Sequence, residues 1–264
     1  MPRKSGQARV LTAEQQRHLF REIANHRHPE KNAAIMRISF CLGLRVQEIA
    51  LLELKEVCSL GTARKTVARS FKLREILKLP ASYTKGANAT GKSDSPRYKR
   101  KSLTFSVDQF DNVVRQIQEL AKAGADIDPK LFYPALQERK GRSRDLPLVD
   151  PDLLEALSAY LEVRLAKDIN ANPSDRLFLS QKGGPYSPNS LQNHMGLMLK
   201  RWAGVEYASS HSGRRTVLTD VIHNQGKSVK VAQKIAGHVD AATTLLYEEP
   251  PEEALSDALK NLKK

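Results

Sequence analysis

Apolar residues recur along most of this chain at the three-and-four spacing of a helix face, and they alternate only over one short run. Thr12 followed by Gln15 reads as a capping box, opening a helix that carries Leu19, Phe20 and Ile23 on one side. His26, His28 and Pro29 break the pattern. A second helix is expected from about Glu30 to Leu42, rich in Ile35, Met36, Ile38 and Phe40 and stopped by Gly43. The stretch GLRVQEIALLELKEV then predicts a turn and a third helix, with Arg45 at its start and Ile49, Leu51, Leu52 and Leu54 inward. The β-prone run is FKLREILKLPAS, Phe71 to Ser82, and Tyr83-Thr84-Lys85-Gly86 after it reads as a hairpin turn.

Further helices are expected from about Asp108 to Lys122 and from Pro151 to Lys167, the latter with proline near its start. Another should follow a Gly-Gly-Pro turn, capped near Ser187 or Asn189. Trp202 falls where a helix packs on the core. An apolar helical pattern leads into Gly237-His238, where the glycine is the expected stop. Beyond Pro250-Pro251 the chain reads as a short tail helix, with Ala254, Leu255, Ala258, Leu259 and Leu262 on one side. The fold class that follows is mainly α, with a small antiparallel β-sheet or hairpin.

Composition adds a partner class. Of 264 residues 40% are hydrophobic, enough for one large core or two small ones. The formal net charge is +14, and a chain this basic most often answers a polyanion, nucleic acid above all. Cys41 and Cys58 lie in apolar helical patterns without metal spacing, and read as buried thiols in a reducing compartment. No CxxC, HExxH or Walker-type loop is present, so no metal and no cofactor is expected. His18, His26 and His28 have no acidic or cysteine partner nearby and read as loop and surface residues. Residues 1–10 read as a basic arm, not as a secretion signal, and charges interrupt every long apolar run, which argues against a spanning helix. A cytoplasmic protein, on the nucleoid when bound to DNA, fits these features.

The candidate chemistry is concentrated in ASSHSGRRTVLTDVIHNQGKSVKVAQKIAGHVDAATTLLYEE, Ala208 to Glu249. His211 and Arg214, three apart, share a helix face; with His238 and Tyr247 they form a set that can face one phosphate. The ordered set His-x-x-Arg, Gly-His, Tyr resembles the C-terminal half of the active site of the tyrosine recombinase, or phage integrase, family. Gly43-Leu44-Arg45 followed by Glu48 matches the place where that family keeps its first catalytic arginine, and Glu48, one turn on, can hold the guanidinium. The resemblance runs from about Val10 to Tyr247. It implies the tyrosine recombinase catalytic-domain fold over residues 11–249, without the usual N-terminal core-binding domain, and a tail over 250–264.

In that family a short hairpin carries the catalytic lysine. LPASYTKG is similar to its first strand and GRSRDLPLVD, Gly141 to Asp150, to its returning strand, so about 87–140 becomes an insertion at the hairpin. A pairing with KSLTF, Lys101 to Phe105, is the other arrangement. The resemblance assigns the lysine to Lys85, with Lys140 as the alternative. Arg97, Lys99, Arg100 and Lys101 flank Tyr98 in a basic run suited to DNA phosphates, and Arg215 reads as a backbone-phosphate contact pointing elsewhere than Arg214. His194 and His223 have no motif support and read as structural.

The implied reaction is site-specific recombination without metal or ATP. Tyr247 attacks phosphorus and stores the bond energy in a 3′-phosphotyrosyl link that a 5′-hydroxyl later reverses. Arg45 and Arg214 answer the charge on the non-bridging oxygens, which a guanidinium fork suits. By resemblance His211 is the general base, the hairpin lysine protonates the departing 5′-oxygen, and His238 hydrogen-bonds a phosphate oxygen. The implied partners are double-stranded DNA and, through the tail helix docked on a neighbour, a homotetramer on DNA. Two rival readings share part of this set: a type IB topoisomerase-like relaxing enzyme, and a non-catalytic DNA-binding accessory protein.

Overall fold

The computed structural model describes residues 8–62, 69–83, 106–127, 143–238, 241–247 and 260. Helix α1, Ala13–Ala24, opens on the expected box: Gln15 N donates to the Thr12 hydroxyl at 3.2 Å, and Thr12 N donates to the Gln15 side chain at 3.1 Å. Helix α2, Pro29–Leu42, starts on its proline and stops at Gly43, whose φ of 61° is left-handed. Ile35, Met36 and Ile38 of α2 are fully enclosed.

The third predicted helix is two. α3, Val46–Leu51, ends where Leu52 turns extended, and α4, Leu54–Val57, restarts after Glu53. The break lets the Leu52 carbonyl accept from Leu177 N at 2.7 Å, while Glu53 forms a β-bridge with Arg176. A partner far along the chain thus overrides local helix propensity.

The predicted strand also divides. β1, Cys58–Leu60, pairs antiparallel with β2, Phe71–Leu73; β3, Ile76–Leu79, pairs antiparallel with β4, Arg144–Pro147. Arg74 and Glu75 make the change of sheet: Arg74 N donates to Val57 O at 2.9 Å, and the Glu75 carbonyl accepts from Leu148 N at 2.8 Å. Cys58 is buried, but in a strand rather than a helix, and Cys41 in α2 is only half-buried. The strand returning to β3 comes from the Gly141–Asp150 stretch, with Leu77 opposite Leu146 and Leu79 opposite Arg144. KSLTF lies outside the described residues. After β3, a 3-10 turn at Ala81–Tyr83 buries Tyr83, whose hydroxyl donates to Glu56 at 2.8 Å.

The chain divides into two compact units, one of Met1–Ala89 with Gly141–Lys264 and the other of Thr90–Lys140. The second contains α5, Val107–Lys122, capped by Ser106 and Gln109, with no buried residue. In the first, α6, Pro151–Lys167, packs along α2. Helix α7, Pro188–Leu197, is capped by Ser187 and widens into a π-type turn at Met198–Trp202. Trp202 packs on the core and stacks on His26, ring centroids 3.9 Å apart. Helix α8, Ser212–Thr219, lies close on α2: a Cβ at Gly213 would come within 2.9 Å of the Ser39 backbone. A second π-type turn, Asp220–Asn224, leads to α9, Val229–Ala236, and α10, Ala242–Leu245.

Two apolar clusters hold this unit. The larger includes Leu19, Ile38, Ile49, Leu77, Leu153 and Phe178. The smaller is Leu218, Val221, Ala232 and Ala236, with Val217, Ile222, Ile235 and Tyr247 against it. Among the described residues no helix is long and apolar enough to cross a membrane.

Candidate active site

Gly237, at a φ of 62°, ends α9 and leaves the Ala236 carbonyl open to partners from elsewhere. Arg45 Nη1 at 3.3 Å, Arg144 Nη1 at 2.5 Å and Arg214 Nη2 at 2.6 Å all donate to that oxygen. The partial negative charge of a helix C-terminus favours cations there, which helps three guanidinium groups to converge.

Each arginine arrives on a different element. Arg45 caps α3, and Glu48 holds it as expected: Arg45 Nη1 donates to Glu48 Oε1 at 3.1 Å, and Arg45 N donates to Oε2 at 2.7 Å. Arg214, buried in α8, donates from Nη1 to the Gly43 carbonyl at 2.7 Å. Burial, and then the nearby Arg45, push its pKa down to about 10, so it stays charged at neutral pH. Arg144 begins β4 and donates from Nη2 to Glu48 Oε2 at 2.6 Å. Its burial lowers its pKa, against the opposing pull of Glu48.

His238 joins the arginines to the tyrosine. Arg214 Nη2 lies 2.9 Å from His238 Nε2, and a guanidinium only donates, so Nε2 is the unprotonated nitrogen. Nδ1 then carries the hydrogen and donates to Thr244 Oγ1 at 2.9 Å. Burial first, then Arg214, Arg45 and Arg144, bring the His238 pKa down to about 3, so the ring is neutral. The Tyr247 ring stacks on it, with centroids 6.0 Å apart and planes 21° from parallel. Tyr247 N donates to Thr244 O at 2.9 Å, and the Tyr247 carbonyl accepts from His223 Nε2 at 3.1 Å.

Arg45, Arg214, His238 and Tyr247 are therefore brought together. His211 sits at the N-terminus of α8, one turn before Arg214, with its side chain exposed and its backbone N donating to Ser209 Oγ at 3.2 Å. Arg215 reaches a partner other than those of Arg214: its guanidinium lies 6.0 Å over the Tyr247 ring. His194 is structural, 2.8 Å from Asn32 Oδ1 and stacked near Tyr186. Lys85, Lys140, Arg97, Lys99, Arg100 and Lys101 lie outside the described residues.

Arg144 is the residue the sequence reading passed over. A signal was present: in Arg144–Pro147 the alternation puts Arg144 on the same buried face as Leu146, an inward-pointing charge beside a core leucine. Its partners, Glu48 and Ala236, are far away in sequence, and no local pattern announces them.

The chain is 30% identical to the tyrosine recombinase XerC of Bacillus licheniformis over 97 residues, which cover 35% of this chain and 31% of that one. The match thus spans about a third of the length of that relative. Among solved structures, XerA recombinase superposes with a TM-score of 0.58 at 17% identity, covering all of this chain and 67% of that one. The XerH site-specific recombinase bound to its palindromic difH substrate gives 0.55 at 14% identity, covering 97% of this chain and 53% of that one. Similarity at that level speaks for the fold, the catalytic domain of tyrosine recombinases. The Phage integrase family profile matches residues 115–253, more than half of the chain, and the chain belongs to that family.

Proposed function

We propose that this protein is a site-specific DNA recombinase that cuts and rejoins double-stranded DNA through a 3′-phosphotyrosyl intermediate. The observation that carries the reading is the Tyr247 ring stacked on His238, which in turn takes a hydrogen bond from a buried arginine. In the forward step the Tyr247 oxygen bonds to phosphorus, the bond from phosphorus to the 5′-oxygen breaks, and the 5′-oxygen leaves with a proton. His211 takes the phenol proton, and Lys85 or Lys140 supplies the one on the leaving group. Arg45 and Arg214 stabilise the five-coordinate phosphorus; losing either contact should slow cleavage about 100- to 1,000-fold.

His238 enters through its tautomer. With Arg214 on Nε2 and Thr244 on Nδ1, its ring is fixed against the face of the tyrosine. When a phosphate draws Arg214 away, the neutral ring can switch tautomer: Nδ1 then accepts from the Thr244 hydroxyl, and Nε2, now carrying the hydrogen, donates to a phosphate oxygen. The basic run Arg97, Lys99, Arg100 and Lys101 would track the DNA backbone, and the tail at 250–264 would dock on a neighbour to build a tetramer on DNA.

A pool of random-sequence duplexes, each nicked so that the cut end diffuses away, tests the reading. The full chain should become covalently attached, Tyr247→Phe should form no adduct, and sequencing the attached DNA should reveal a preferred site. Two copies of that site should then yield crossed-strand products. Adducts without such products would point to a relaxing enzyme, and no adduct at all would leave only DNA binding.

A further inference from the structure

We propose that Arg144 is a positioning residue that neutralises Glu48, so that the charge of Arg45 is left for the scissile phosphate. The proposal rests on the strand-transfer reading above and deepens it.

The Glu48 carboxylate is nearly inaccessible, with a side-chain exposure of 1%, and it is shared between Arg45 on Oε1 and Arg144 on Oε2. Were Arg45 its sole cation, that pair would be neutral and Arg214 alone would face the phosphate. With Arg144 present, three guanidinium groups against one carboxylate leave two positive charges, and His238, being neutral, adds none. A DNA phosphodiester carries one negative charge and the five-coordinate transition state approaches two. The cluster therefore complements the transition state better than the bound substrate, which is the condition for raising the rate.

Exposure separates the two roles. The Arg45 side chain keeps 22% of its surface open, whereas Arg144 keeps 7% and lies behind it. Arg144 is not well explained as a device for stability. Its Nε is buried with no partner among the described residues, and a buried ion pair is a weak source of folding energy. The backbone is nonetheless shaped around it: a Cβ at Gly237 would collide with the Arg144 guanidinium, in addition to the strain of a positive φ.

The test uses the full chain and a nicked duplex of the trapped sequence, carrying at the cut position either a normal phosphodiester or a methylphosphonate, which lacks one negative charge. R144Q loses the charge and shortens the side chain while keeping a polar end, and the comparison of the two substrates separates the lost charge from the lost reach. It should form adduct about 10- to 100-fold more slowly on the phosphodiester, the range in which outer partners of a charged centre act. It should bind the uncut duplex as the wild type does, and on the methylphosphonate the deficit should largely vanish. Adding E48Q to R144Q should recover much of the lost rate, because no carboxylate then draws on Arg45.

A folded R144Q that cleaves at the wild-type rate, or is equally slow on both substrates, overturns the proposal. If R144Q does not fold, R144K and the R144Q/E48Q pair carry the test: each leaves two net positive charges, so both should form adduct on the phosphodiester within a few-fold of the wild type, and a loss of about 10-fold or more in both folded variants refutes the idea. If the wild type itself forms no adduct, the strand-transfer reading fails first and takes this proposal with it.

Discussion

The arginine side of the site is built on the larger apolar cluster: α3 carries Arg45 and Glu48 over Ile49 and Leu52, and β4 carries Arg144 beside Leu146. The tyrosine side rests on the smaller one, Leu218, Val221, Ala232 and Ala236, and on α10, four residues long with Leu245 and Leu246 exposed beside it. One side is fixed by many buried contacts and the other by few. That division suits the chemistry proposed here. Groups that answer developing charge gain by being held in place beforehand, whereas a nucleophile must travel to phosphorus and back.

The largest expected effect breaks the arginine side. Phe178 is fully buried and stacked with Tyr160, and Phe178→Ala should cost about 3–5 kcal/mol in urea unfolding, with all spectroscopic probes moving together. An unfolding step confined to the C-terminal helices would contradict the division.

Acid should strike the join between the two sides. The His238 pKa is depressed from the ordinary 6.5 to about 3, so between those values the unfolded chain binds the proton and the folded chain does not. Stability is fully present above pH 6.5 and falls as the pH drops through this window, by up to about 3 kcal/mol at pH 4. His238→Gln should flatten the melting-temperature profile there, leaving the slope from the other shifted groups, among them His28 and His194, the latter with a pKa that burial lowers to about 4. An unchanged profile would mean that His238 is protonated in the folded state.

On the tyrosine side, Leu218→Ala should cost about 2 kcal/mol, the low end for a buried leucine, because its cluster is small. Adduct formation should fall while binding of uncut DNA persists; equal loss of both would join the two sides into one. The smallest effect belongs to Leu245→Ser and Leu246→Ser, both exposed, which should shift stability by no more than about 0.5 kcal/mol in thermal melts.

Much of this was legible in the sequence where cause and effect lie within a few residues. The Thr12–Gln15 box, the stops at Gly43 and Gly237 and the grip of Glu48 on Arg45 are all local, and all are found. The readings that had to be corrected depend on distant partners. The helix break at Leu52 answers Leu177, and the split of the predicted strand answers β1 on one side and β4 on the other. The contact of Arg215 with the Tyr247 ring lies beyond the sequence reading, since it depends on where the chain after α9 places Tyr247, which helix periodicity does not contain.

The shared acceptor at Ala236 is a main-chain oxygen. Its alignment of three cations is thus indifferent to what side chain evolution places at that position, and ordinary mutagenesis there would not remove it. Only an edit to the polymer itself reaches it: converting the Ala236–Gly237 amide to an ester, which weakens the carbonyl as an acceptor, would loosen Arg45, Arg144 and Arg214 in a single stroke.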